Sequence, residues 1–239
     1  MLERRIRRLA VVSVISTPVL LTIGLGPGRI TSQSLTLPEH APVRLHPSVV
    51  VSPAELDTLV QAIRKVRNAG EWTEEYVTVY REHVAPVEMA LRRRGVDPVT
   101  SRKVAWPLVE HAAIQGLDPA LVVSVVLVES SGKPTARSPV GARGLMQVMP
   151  FWAGHWSECG TDLYDIAGNL CYGTRILSEY LARFRGDERR ALLGYNGCVR
   201  GTNTPNCHTY PDKVQSLRRQ IQAEWDRRPV ETIRLAVSE

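Results

Sequence analysis

The chain contains no C-x-x-C pair, no internal repeat, no segment of strand periodicity, and no stripe of Lys and Arg interleaved with aromatics. Each absence excludes a class. Without period-2 alternation of any length there is nothing from which to build a sandwich, a barrel or a parallel sheet, so the class is mainly α. Room remains for a short hairpin around residues 137 to 147. Without the basic, aromatic-rich stripe there is no footprint for a nucleic acid. Without knuckle spacing, the four cysteines do not read as a structural zinc site, and no metal or cofactor is expected.

What is present is ordinary in bulk. A length of 239 residues with 44% hydrophobic and 23% charged composition suits one well-packed domain with appendages. Half of the formal charge of +6 sits in the first eight residues, where Arg4, Arg5, Arg7 and Arg8 face only Glu3. Behind that cluster runs "LAVVSVISTPVLLTIGLG", Leu9 to Gly26, uncharged throughout. A positive start followed by an apolar run is the order of a secretory signal. As a helix this run would reach roughly 27 Å against a hydrocarbon core of about 30 Å, so residues 1–26 are a signal peptide or a retained membrane anchor. Either way the expected destination is the periplasm or cell envelope of a bacterium.

Export favours disulfides over thiols. Of the three connectivities four cysteines allow, the local pairing of Cys159 with Cys171 and Cys198 with Cys207 closes two loops rich in Gly, Asn, Thr and Pro. The competing reading joins His208 to cysteines in a metal site.

Residues 27–52 carry four prolines and no period, and read as a linker. Order begins at Ser52, an N-cap followed by Pro53, with Glu55 completing a capping box and Leu56, Leu59, Val60, Ile63 and Val66 at helical spacing before Gly70. Further helical patterns cover 73–94, bent at Pro86, then 101–115, 170–185 and 213–227. Residues 53–100 thus form an N-terminal helical region, 101–228 the main domain and 229–239 a tail.

Between these lies "LVVSVVLVESSGKP", residues 121–134, a run apolar nearly all round and therefore interior, opened by Asp118 and Pro119 and closed by an acid, Glu129. Apolar surroundings and the partial negative charge of a helix C-terminus both oppose ionisation, so the carboxyl should keep its proton near neutrality. Such a group can act as a general acid towards a glycosidic oxygen. Pairing with Lys133, Arg137 or Arg143 is the structural alternative.

"ESSGKPTARSPVGARGLMQVMP", residues 129–150, resembles the soluble lytic transglycosylase family. So do the lead-in "GLDPALVVSVVLVES", the segment "NLCYGTRILSEYL" and the block "LLGYNGC", in that order along residues 104–215, about half of the chain. The last block departs from the family pattern, with Gly194 where Ala is usual and Gly197-Cys198 where Ala-Gly is usual. The resemblance implies a lysozyme-like catalytic domain preceded by additional N-terminal helices, with Glu129 as the single catalytic acid. Ser138, Gln147, Met149, Tyr195 and Asn196 match positions lining the sugar groove in that family. It further implies peptidoglycan as substrate, cleaved at the β-1,4 bond between N-acetylmuramic acid and N-acetylglucosamine to leave a 1,6-anhydromuramic end.

Two other readings stand beside it. A water-using muramidase needs a second carboxylate, for which Asp162 or Asp165 is the candidate. A non-catalytic peptidoglycan-binding subunit of an envelope or secretion complex would use the helices at 53–94 for docking.

Overall fold

The computed structural model describes residues 43–46, 49–69, 73–198 and 207–227, with side chains from Ser52 onward. The proposed signal or anchor, Gly70 and the C-terminal tail lie outside the described residues. Among the described residues, no helix is long and apolar enough to cross a membrane.

The 27–52 stretch, read as a linker without strands, contains a short antiparallel hairpin of β1 (Val43–His46) and β2 (Val49–Val51), with Val43 opposite Val51 and Arg44 opposite Val50. Four of its seven residues are valine, whose β-branched side chain favours the extended backbone even where no alternation announces it.

Helix α1 (Pro53–Ala69) starts as its capping box requires: the Ser52 N–H donates to Glu55 Oε2 at 2.6 Å, and the Glu55 N–H donates to Ser52 Oγ at 3.3 Å. Its buried residues are the five apolar positions named from the sequence. The next stretch divides as Pro86 dictates. Helix α2 (Glu74–Val79) gives way to a π-helical turn over Tyr80–Val84 before α3 (Ala85–Arg92) resumes with Pro86 in its first turn. A proline has no N–H and its ring crowds the carbonyl four residues back, so the wider π turn absorbs the misfit.

Helix α4 (Pro98–Ile114) begins three residues earlier than its apolar period indicates, because Asp97 accepts from the Thr100 N–H at 2.9 Å and Pro98 fits the first turn. It packs against α1, α3, the following α5 (Pro119–Ser130) and α6 (Ile166–Arg183). Glu110, buried on α4, accepts from Arg64 Nε at 2.8 Å and Arg67 Nη1 at 2.5 Å, which fixes α1 to the domain. One hydrophobic core runs from Leu56 on α1 through α4 and α5 to Trp225 on the last helix.

Helix α5 lies inside, with every residue from Pro119 to Val126 buried. Helices α7 (Glu188–Tyr195) and α8 (Tyr210–Asp226) close the far side. The sequence pattern overlooked α7, whose eight residues are too few for a clear period; Asp187 caps it, accepting from the Arg190 N–H at 3.0 Å. In place of a hairpin at 137–147 there are single bridges, Arg137 with Arg143 and Arg143 with Val148, holding a chain of tight turns. The described residues are mainly α, with α1 to α3 preceding the group formed by α4 to α8.

Candidate active site

The floor of the site is the C-terminal end of α5. That helix is capped by Asp118, which accepts from the Ala120 N–H at 2.8 Å. It stops at Ser131, whose φ of 55° is left-handed, followed by Gly132 at φ 73°. A Cβ on Gly132 would overlap the Val96 side chain, so the turn can lie against the α3–α4 connection only as glycine. The Ser130 hydroxyl lies 2.9 Å from the Val126 carbonyl oxygen and 2.8 Å from that of Leu145, joining the helix end to the 144–149 turn.

Glu129 sits at this junction, half-buried. Its Oε1 accepts a hydrogen bond from the Tyr210 hydroxyl at 2.7 Å, the first residue of α8. Burial pushes the carboxyl up from 4.5 to about 7, and the tyrosine donor, which favours the anion, opposes the rise without cancelling it. Among the described residues no cation forms an ion pair with Glu129. Of the three suspected partners, Arg143 directs its guanidinium over the Tyr164 ring, 5.8 Å from the centroid. The Tyr195 and Tyr210 hydroxyls are both held well above their ordinary value, first by burial and then by the nearby Glu129 carboxylate. One acid therefore faces two phenols that stay protonated.

The turn beside Glu129 is pinned from beneath by Asn169, fully buried on α6. Its Nδ2 donates to the carbonyls of Arg143 at 2.9 Å and Leu163 at 2.7 Å, and its Oδ1 accepts from the Met146 N–H at 2.8 Å. Gly144, at φ 75°, leaves no space for a side chain there, since an added Cβ would overlap the Asn169 amide and the Leu163 carbonyl. Met146 is buried against Gly173 one turn further along α6, where again a Cβ would overlap it. Two of the quoted motifs thus exist to fit each other.

Tyr195, at the end of α7, donates to the Met146 carbonyl at 2.8 Å and so grips the same turn from above. Gln147 is held at φ 49° with its Nε2 donating to the carbonyls of Gly144 at 2.9 Å and Ala136 at 3.3 Å, so its amide nitrogen is spent on the turn itself. Ser138 Oγ accepts from the Ala142 N–H at 3.0 Å. Met149 is half-buried and leads into a 3-10 turn, Pro150–Trp152, while Asn196 caps the end of α7. The structure therefore joins Tyr195, Gln147 and the Met146 turn directly, and places Ser138, Met149 and Asn196 on the adjoining loops.

Asp162 and Asp165 are engaged elsewhere. Asp162 Oδ1 accepts from the Tyr164 N–H at 2.8 Å, and Asp165 caps α6, accepting from the Gly168 N–H at 2.7 Å. The cysteines pair locally, Cys159 with Cys171 and Cys198 with Cys207, with Cα separations of 5.4 and 5.5 Å. The thiolates that a metal site with His208 would need are consumed. Tyr210 is the functional neighbour that sequence reasoning missed: 81 residues separate it from Glu129, and a tyrosine before a proline carries no local signal of such a contact.

A desolvated acid at the end of an interior helix, with tyrosines above it and a glycine-shaped turn beside it, thus lies in a lysozyme-like helical frame. Residues 108–210 match the family model described as Transglycosylase SLT domain. Over 114 residues the chain is 44% identical to the "Transglycosylase" of Enterobacteria phage PRD1, covering 46% of this chain and 41% of that protein. It is 40% identical over 118 residues to the "Endo-type membrane-bound lytic murein transglycosylase A" of Klebsiella pneumoniae, covering 46% of this chain and 52% of the relative. A third relative is the "Membrane-bound lytic murein transglycosylase E" of Buchnera aphidicola, 33% identical over 88 residues, which are 33% of this chain and 40% of that one. The chain spans about half the length of the curated relatives it matches.

Proposed function

We propose that the protein is a peptidoglycan lytic transglycosylase that cleaves the β-1,4 bond between N-acetylmuramic acid and N-acetylglucosamine, with Glu129 as its one acid and base. The observation that carries the reading is the Glu129 carboxyl, raised to about 7 and bonded to Tyr210, with no cation paired to it among the described residues. Protonated, it donates to the leaving glycosidic oxygen; as the resulting anion, it takes the proton of the muramic acid C6 hydroxyl, whose oxygen closes on the anomeric carbon. The product is a 1,6-anhydro end, and no water is consumed. Because the nucleophile comes from the substrate, no second carboxylate is needed. That Asp162 and Asp165 serve as local caps favours this route over a water-using muramidase.

In this reading Tyr210 holds the Glu129 carboxyl in register and steadies its anion between the two steps. Ser138, Met149 and Asn196 line the groove, while Gln147 and Tyr195 shape it through the 144–149 turn. Residues 101–228 form the catalytic domain. Residues 1–26 export or anchor it in the cell envelope, an assignment in keeping with relatives named membrane-bound. Digestion of purified sacculi by wild type and Glu129→Gln, with mass analysis of the fragments, tests the proposal. Anhydro ends from wild type and none from the variant support it; reducing ends, or lysis retained by the variant, refute it.

A further inference from the structure

Immediately after Met149 the chain builds an aromatic ladder that the acid–base chemistry does not use. Tyr172, fully buried on α6, tilts against Trp156 at 5.6 Å between centroids; Trp156 stacks on Trp152 at 5.2 Å and 11°; Trp152 tilts against Phe151 at 5.4 Å. His155 stands edge-on to both tryptophans, and Arg175 covers Trp156 at 4.7 Å. The outermost ring, Phe151, is 71% exposed.

A surface phenylalanine is unremarkable when isolated and mobile. This one is neither. The Pro150–Trp152 turn is closed by the Trp152 N–H donating to the Met149 carbonyl at 3.0 Å. The Tyr172 hydroxyl accepts from the Gly154 N–H at 2.8 Å and donates to the Gly160 carbonyl at 2.6 Å, and the Cys159–Cys171 disulfide ties the loop to the same helix. The shelf is thus pre-ordered, so a ligand meeting it has little loop entropy to lose. Rings with one face open attract the C–H-lined, apolar face of a pyranose through dispersion and the negative π face.

We propose that the Phe151–Trp152 shelf is a sugar-stacking site that receives the glycan strand where it leaves the groove at Met149, extending the proposed transglycosylase cleft. The alternative occupant of exposed aromatics is a lipid interface. Charge does not favour it: residues 151–165 contain Glu158, Asp162 and Asp165 and no Lys or Arg, and the Arg175 that covers Trp156 is paired with Glu158, so the shelf offers an anionic bilayer no surplus of positive charge.

The test uses the full chain and hexa-N-acetylchitohexaose, with binding followed by tryptophan fluorescence, which Trp152 and Trp156 report. Phe151→Ala should weaken binding by about five-fold, the worth of one aromatic contact, and Phe151→Trp should restore it. On sacculi the Ala variant should raise KM by a similar factor with kcat unchanged. The inference rests on the glycan-cleaving reading, yet the two can fail separately. Phe151-dependent sugar binding without anhydro products refutes the activity and keeps the shelf. Anhydro products with sugar affinity indifferent to Phe151 refute the shelf. Loss of co-sedimentation with phosphatidylglycerol vesicles in Phe151→Ala, with sugar affinity intact, assigns the shelf to a membrane and also overturns it.

Discussion

Replacing Glu129 by Gln should abolish activity and make the protein more stable, but only above mildly acidic pH. The carboxyl titrates at 4.5 as an ordinary side chain and at about 7 in the folded protein. Between these values the folded state holds a proton that the unfolded state has released, so stability falls as pH rises through this window and levels off above about 7. The full stabilising contribution is present below pH 4.5 and absent in the alkaline plateau. A shift of that size at about 1.4 kcal/mol per unit is about 3 kcal/mol, and partial exposure of the side chain reduces it to about 2. Glutamine keeps an oxygen to accept from Tyr210 and cannot ionise. Asp118, whose carboxyl is also raised by burial, titrates in both proteins and cancels in the comparison. Urea unfolding followed by circular dichroism at about pH 4.5 and about pH 8.5 should therefore show the advantage of the Gln variant growing by about 2 kcal/mol. A stability difference that is the same at both pH values refutes the desolvated acid and with it the proposed chemistry. The activity profile of wild type gives the same information from the other side, with a basic limb near pH 7 where the acid is lost.

Tyr210→Phe removes a donor that favours the Glu129 anion, so the basic limb of the pH–rate profile should move to higher pH while kcat falls; a limb moved to lower pH contradicts the assigned role. Gly144→Ala places a Cβ against the Asn169 amide and the Leu163 carbonyl at a φ of 75°, and should cost about 3 kcal/mol in urea unfolding along with most activity, whereas Gly141→Ala, also at positive φ but with open space around it, should cost about 1. Arg218→Ala strips Asp118 of its guanidinium, bonded at 2.7 Å, and should destabilise by about 3 kcal/mol at neutral pH; the loss should shrink on acidification as the buried carboxyl, left with only neutral donors, takes up a proton.

The capping box at Ser52, the proline break at 86, the interior character of 119–130 and the pairing of the cysteines were all legible because each is a local pattern with a local cause. Glu129 was legible for the same reason, as an acid ending a run of valines. What supports it was not. The Asn169 pin spans 23 residues to Met146 and the Tyr210 bond spans 81 to Glu129, and no spacing rule connects residues that meet only after the helices dock. The resemblance singled out Tyr195 but not its partner, a backbone carbonyl at Met146, since carbonyls leave no mark in a sequence. Helix α7 went unread because its stability comes from packing on α6 and not from a period of its own.

Helix α8 accounts for how the acid is positioned with no ion pair among the described residues to hold it. At its start Tyr210 bonds Glu129, the last turn of α5, and further along Arg218 and Gln222 bond Asp118, the first cap of α5, so the two helices run antiparallel and are fastened at both ends. Arg218 also pairs with Glu188 on α7, which brings the third helix into the same clamp. The Cys198–Cys207 bridge completes it: Cys198 lies three residues after Tyr195 and Cys207 three before Tyr210, so one covalent bond sets the spacing of the two phenols that flank the carboxyl. The raised pKa of Glu129 is then a property of the clamp as a whole, since any slack in α8 admits water to the carboxyl, lowers the cost of its charge, and removes the proton the reaction begins with.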